Sequence, residues 1–260
     1  MDEDKKKLIN IFFDKIYGKP PQKHLNHAGS YGQWLEIQFG KKPDGDTNAD
    51  FNGFELKNDT NSKTTWGDWP ANYWIFNDPD YSMDREKFFE IFGKFNPKKN
   101  RLSWSGSHVP TYLNDITDYG QSLILDADKN IVITYNFDKD QRESKGKIVP
   151  DNLQRNDLII AKWIGYEKNF LYPKGTSIET KINKKFNQKG WFKCLIRNGV
   201  YKEIVFGDPV NFDNWIQLFK SKHIFFDSGM YQGNNRPYSV WRSNNNFFEK
   251  LIKSSYIKDV

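Results

Sequence analysis

The chain has 260 residues, of which 37% are hydrophobic, 17% aromatic and 28% charged, with a formal net charge of +6. That length can bury a substantial core in one large domain or two lobes. No apolar run approaches the roughly 20 residues needed to span a bilayer, no signal-peptide pattern is read at the N-terminus, and the single cysteine, Cys194, excludes an internal disulfide and multi-cysteine zinc sites, which fits a reducing cytoplasm.

Residues 5–17 read as an amphipathic helix, with Leu8, Ile9, Phe12, Phe13 and Ile16 on one face. Residues 20–26 read as a loop. A second helix follows, capped at or near Ser30, with Tyr31, Trp34, Leu35 and Phe39 forming its apolar stripe and Glu36 lying outside it. A polar spacer leads to Asp50 and then to the run Phe54-Glu55-Leu56-Lys57. In a strand this run sends Phe54 and Leu56 into a core and projects Glu55 and Lys57 together from the opposite face. Residues 73–76 read as a second strand, 84–92 as a short helix, and 122–125 with 131–137 as a β-hairpin. Residues 139–156, polar and containing Pro150, suit a surface connection. Residues 158–164, 191–196 and 201–206 read as further strands. Residues 181–189 form a basic, polar segment, near phosphate or facing solvent, and 211–220 a helix with Trp215, Leu218 and Phe219 inward. Residues 223–242 read as strand, polar loop, strand. The pattern predicts a mixed α/β fold.

Two carboxylates and a lysine at the head of one strand suit metal-dependent phosphodiester hydrolysis. Magnesium takes oxygen ligands and keeps several waters, so Asp50, Glu55 and a phosphate oxygen would make a plausible inner shell, with manganese a possible substitute. Lys57 would orient the attacking water and neutralise developing charge. The tripeptide alone is a weak signal, because an acid two residues before a lysine occurs five times, beginning at Glu3, Asp4, Glu55, Glu143 and Glu179. Only Glu55 sits between apolar residues in strand alternation, with an aspartate at the entrance and a helix bearing Glu36 just before.

The run from His27 to Lys57, with Gly32-Gln33-Trp34-Leu35-Glu36, then Asp50-Phe51, then Gly53-Phe54-Glu55-Leu56-Lys57, resembles the MutH-like branch of the PD-(D/E)xK nucleases, which includes type II restriction endonucleases such as MvaI and BcnI. The resemblance implies a restriction-endonuclease-like core, a mixed sheet flanked by helices, with two lobes around a DNA-binding cleft. It implies a catalytic core of Asp50, Glu55 and Lys57 assisted by Glu36, and metal ligands from Asp50, Glu55 and the Leu56 backbone carbonyl. The proline usual before the first aspartate is Ala49 here, so Asp44 and Asp46 stay open as rivals for that position.

Charge is uneven: residues 1–125 carry 16 Lys+Arg against 18 Asp+Glu, and residues 126–260 carry 23 against 15. A basic half joined to one with clustered acids suits a catalytic lobe over 1–120 and a DNA-recognition lobe over 121–260. In the latter, Tyr231, Gln232, Asn234, Asn235, Arg236, Tyr238 and Arg242 are candidates for contact with double-stranded DNA, since Arg pairs with guanine edges and Asn or Gln with adenine. MvaI and BcnI have a comparable loop. Lys63 is a candidate phosphate contact. His24, His27, His108 and His223 show no metal-ligand spacing and read as structural or surface groups. The activity expected is a magnesium-dependent type II restriction endonuclease. Within enzymes the alternative is a MutH-type mismatch-repair nickase, and outside them a non-catalytic DNA-binding protein. The resemblance favours a monomer, with a cognate DNA methyltransferase as a functional partner rather than a bound subunit.

Overall fold

A computed structural model describes residues 1–23, 29–42, 48–60, 62–167 and 172–257; His24, His27, Asp44 and Asp46 lie outside them. The fold is mixed α and β, as expected. It divides into a unit of Met1–Thr64, Lys181–Asn214 and Ser243–Val260 and a unit of Thr65–Thr180 and Trp215–Arg242. The compact units therefore interleave along the chain and do not divide it near residue 120. The reason is strand pairing: the strand at 190–197, which a division in chain order gives to the second lobe, pairs with the strand at 54–57 in the first unit and carries the strand at 200–207 with it.

The first unit is organised on a four-stranded sheet. Strand β1 (Phe54–Lys57) lies at its edge, parallel to β2 (Gly190–Arg197), and β3 (Val200–Gly207) and β4 (Ile252–Ile257) follow in antiparallel order. Asn198 and Gly199, both at positive φ (53° and 78°), close the β2–β3 hairpin in the way that a two-residue primed turn requires. One sheet face presents Phe54, Leu56, Phe192, Cys194, Ile204 and Phe206. Against it pack α1 (Glu3–Ile11) through Leu8 and Ile9, and α2 (Ser30–Gln38) through Trp34 and Leu35. Trp34 stacks on Tyr201 at 5.9 Å. The helix expected over 5–17 ends as regular α-helix at Ile11 and continues as a wider π-turn, Phe12–Ile16, in which the Tyr17 N–H donates to the Phe12 carbonyl. The wider turn leaves Phe12 and Ile16 fully buried.

The second unit carries an antiparallel sheet in the order Tyr73–Trp74, Leu158–Trp163, Ile131–Asp140, Tyr119–Leu125. The strand expected over 73–76 stops at Trp74, and Ile75–Asn77 is a 3-10 turn. Asp78 enforces the stop, accepting a hydrogen bond from the Tyr73 hydroxyl and another from the Asp80 N–H. The surface connection expected over 139–156 includes the end of a strand, Asp140, and a helical turn, Lys145–Ile148. The aromatic excess fills this unit's core, where Trp74 meets Trp104 and Trp163, and Trp163 meets Phe226 and Trp241, edge to face, an arrangement favoured by the ring quadrupole.

Candidate active site

The site is assembled by one tight turn. Asn52 and Gly53 lie at φ 47° and 94°, and the Phe51 and Phe54 backbones exchange hydrogen bonds at 2.9 and 2.8 Å across them. Asn-Gly suits such a turn because both positions need positive φ. The chain is thereby folded back so that Asp50 lies alongside the start of β1, where its Oδ2 accepts the Leu56 N–H at 3.0 Å. Because β1 is an edge strand among the described residues, that N–H has no ladder partner on its outer side, and the aspartate supplies one.

Alternation along β1 then sets the rest. Phe54 and Leu56 enter the core, while Glu55 and Lys57 share the other face. These two project together as the alternation predicts, and both are buried, Glu55 to 2% exposure. The Lys57 ammonium donates to Glu55 Oε1 at 2.7 Å and lies 4.9 Å from the centre of the Phe186 ring. Burial pushes the Glu55 carboxyl up against the opposing pull of Lys57 and Lys185. Burial likewise pulls the Lys57 ammonium down, against Glu55. Glu55 Oε2 is buried with no hydrogen-bond partner, an atom that a cation would satisfy.

Two lysines at the site were not singled out from sequence. Lys41 places its ammonium 2.9 Å from Asp50 Oδ1, and Lys185 lies 3.1 Å from Glu55 Oε1. Lys185 ends α3 (Ile178–Lys185), within the basic segment read as near phosphate or solvent-facing. Nothing in its spacing distinguishes it from Lys184 or Lys181. Beyond β1, the buried Lys193, which registers with Lys57, pairs with Asp59 at 2.9 Å.

Glu36 lies half-buried on α2, and its backbone carbonyl accepts the Lys41 N–H. Lys63 is exposed at the start of the strand Lys63–Asp68. Among the described residues no group of three or more His, Cys, Asp or Glu side chains forms a metal cage. Two carboxylates with an unsatisfied oxygen still match magnesium, which uses one or two carboxylates and retains water.

The other candidates belong to the second unit. Phe225–Asp227 pairs with Val240–Asn244, as the strand-loop-strand reading expects, and Met230–Tyr231 within the loop pairs with Arg101–Trp104. Gln232 donates to Glu86 at 2.7 Å, Arg236 to Asp68 at 2.6 Å, and Arg242 pairs with Asp227 at 2.8 Å. Tyr231 is covered by the Arg101 guanidinium and Tyr238 by that of Arg236. Asn235 is exposed. Asn234 is buried: its Oδ1 accepts the Tyr231 N–H and its carbonyl takes the Arg85 guanidinium, so it builds the loop from inside. His108 is buried too, hydrogen-bonded to the Ser103 carbonyl, and burial pulls its imidazole below the ordinary value. His223 is exposed.

A model of the LlaMI restriction endonuclease family matches residues 21–256. The chain belongs to that family. It is 41% identical over 267 residues to the type II restriction enzyme ScrFI of Lactococcus lactis subsp. cremoris, covering 97% of this chain and 98% of that one. The fold is similar to that of the restriction endonuclease MvaI in a complex with its cognate DNA substrate, with a TM-score of 0.60 at 12% identity over 99% of both chains. Membership of the LlaMI family bears out the type II restriction endonuclease class expected from the sequence. No described helix is long and apolar enough to cross a membrane.

Proposed function

We propose that this chain is a magnesium-dependent type II restriction endonuclease of the cytoplasm that hydrolyses phosphodiester bonds of duplex DNA at a short specific sequence. The observation that carries the proposal is the convergence of Asp50, Glu55 and Lys57 at the edge of β1, with Glu55 Oε2 left unsatisfied. Support comes from the relative ScrFI, a type II restriction enzyme, and from MvaI, whose similar fold is seen with cognate DNA.

Asp50 and Glu55 would hold Mg2+, or Mn2+ in its place. The Leu56 carbonyl is a third ligand, because a strand residue presents its N–H and C=O at the same edge, and the Leu56 N–H already points to Asp50. Bound there, the cation supplies Lewis-acid polarisation and charge stabilisation for the hydrolysis. Lys57 donates from Nζ to the attacking water and to charge developing on the phosphoryl group, and its burial makes that charge more effective than it would be in bulk solvent. Glu36 assists from α2. The residues 231–242 and Lys63 contact DNA, with Arg236 and Arg242 exchanging their present carboxylate partners for guanine edges or phosphates. The enzyme works as a monomer and is matched in the cell by a methyltransferase that protects the same sequence.

The test is incubation of the purified protein with supercoiled plasmid and Mg2+, followed by sequencing of the fragment ends. Discrete double-strand fragments with one end sequence are expected, and none from Asp50→Asn or Glu55→Gln. Nicked circles alone would indicate a nickase, and salt-sensitive binding without any cleavage would indicate a non-catalytic DNA-binding protein; either result overturns the proposal.

A further inference from the structure

Lys41 and Lys185 reach the acidic pair from separate segments, and each is held there by local structure. Gly40, at φ 91°, turns the chain at the end of α2, and the Lys41 N–H donates back to the Glu36 carbonyl. This is the glycine-terminated helix end that fixes the next residue's direction. The C-terminus of α3 is tied to the other side of the site by the Ala49 N–H, which donates to the Lys184 carbonyl at 3.1 Å. Lys41 keeps only 16% of its side chain exposed and Lys185 20%. Long cationic side chains are seldom ordered and desolvated to this degree for surface pairing, which contributes little stability.

Among the described residues, three ammonium groups thus face these two carboxylates before any divalent cation arrives. Both Asp50 oxygens are engaged, Oδ1 by Lys41 and Oδ2 by the Leu56 N–H, and Glu55 Oε1 by Lys57 and Lys185. On the reading given under Proposed function, the same carboxylates bind the metal, so the dication meets Lys41 on Asp50 Oδ1 and, at the open Glu55 Oε2, the repulsion of the ammonium groups on Oε1. We propose that Lys41 and Lys185 are positioning counter-ions that hold Asp50 and Glu55 converged in the metal-free protein and make metal binding depend on DNA. A DNA phosphate supplies the negative charge that the lysines then follow, and the carboxylates are released to the cation. Cofactor uptake becomes conditional on substrate.

The test is Mn2+ affinity in the absence of DNA, followed by electron paramagnetic resonance of the free ion. Wild type binds weakly. Lys41→Met and Lys185→Met are expected to bind about tenfold or more tightly, since each removes a positive charge a few ångströms from the dication. Lys41→Arg, which keeps the charge, is expected to stay at the wild-type level, a result that a loss of packing would not produce. Urea midpoints check folding, and should Lys41→Met fail to fold, Lys185→Met decides. Asp50→Asn separates the two readings. If it abolishes Mn2+ binding while neither methionine variant binds more tightly, the metal site stands and the counter-ion role is overturned. If Asp50→Asn binds as wild type does, the metal site falls and the counter-ion role with it.

Discussion

Replacing Glu55 and Lys57 singly and then together separates what the pair does for stability from what it does for the reaction. In Glu55→Gln the shape of a side chain exposed to only 2% is retained, but Lys57 loses the carboxylate 2.7 Å away. Stranding one member of a buried ion pair costs about 3–5 kcal/mol. Lys57 can shed part of that cost by losing its proton, because burial already favours its neutral form. The expected loss is therefore about 2–4 kcal/mol. Glu55→Met combined with Lys57→Met removes both charges and fills the space with apolar side chains, a replacement that is neutral or stabilising by about 1–4 kcal/mol, while Lys185, with 20% of its side chain exposed, turns to solvent. The double variant should be at least as stable as wild type, with urea midpoints measured at constant slope as the assay. Its plasmid cleavage should fall by a factor of about a hundred to a thousand or more, as should that of each single variant. A double variant less stable than either single one, or one that cuts plasmid at the wild-type rate, would refute the reasoning.

Further expectations concern other parts of the molecule. Burial pushes the Asp140 carboxyl up, but hydrogen bonds from Arg142 and Tyr135 outweigh this and hold it below its ordinary 3.8. A carboxyl depressed on folding stabilises fully above the unfolded value and loses that contribution as pH falls through the folded value. Asp140→Asn should therefore cost about 3 kcal/mol at neutral pH, leaving Arg142 buried without its charge partner, and the gap from wild type should narrow in acid urea titrations. Gly190→Ala places a Cβ 2.2 Å from the Gly207 carbonyl oxygen at φ 95°, and should cost about 1–3 kcal/mol by thermal denaturation because β2 and β3 must separate. Arg236→Ala should weaken binding to the cleaved sequence by about 1–3 kcal/mol and binding to unrelated duplex much less; equal loss on both would make Arg236 a phosphate contact.

Much of the acidic half of the site was legible because it is local. The alternation of Phe54, Glu55, Leu56 and Lys57 fixed which groups share a face, and the chain from Asp50 to Leu56 needs only one Asn-Gly turn to place an aspartate beside the strand. The helix bearing Trp34 and Leu35 was legible for the same reason. Lys41 and Lys185 were not, because their roles depend on where α2 and α3 end in space, and a lysine in a polar segment carries no mark of its partner. The interleaving of the two units was hidden likewise, since parallel pairing of β1 with β2 joins residues far apart in the chain. In the C-terminal loop, composition suggested Asn234 and Arg236 alike; burial alone distinguishes the inward amide from the half-exposed guanidinium.

The edge strand that carries Glu55 and Lys57 has a bearing on how such a protein comes into being. Its partner, β2, lies far downstream, and parallel strands joined by long connections form late because loop closure must precede the contact. During synthesis on the ribosome the acidic turn emerges early but has no sheet to brace it until residues 190–197 have been made. On the function proposed above, the centre that cuts DNA is therefore completed only after residues 190–197 have joined the chain.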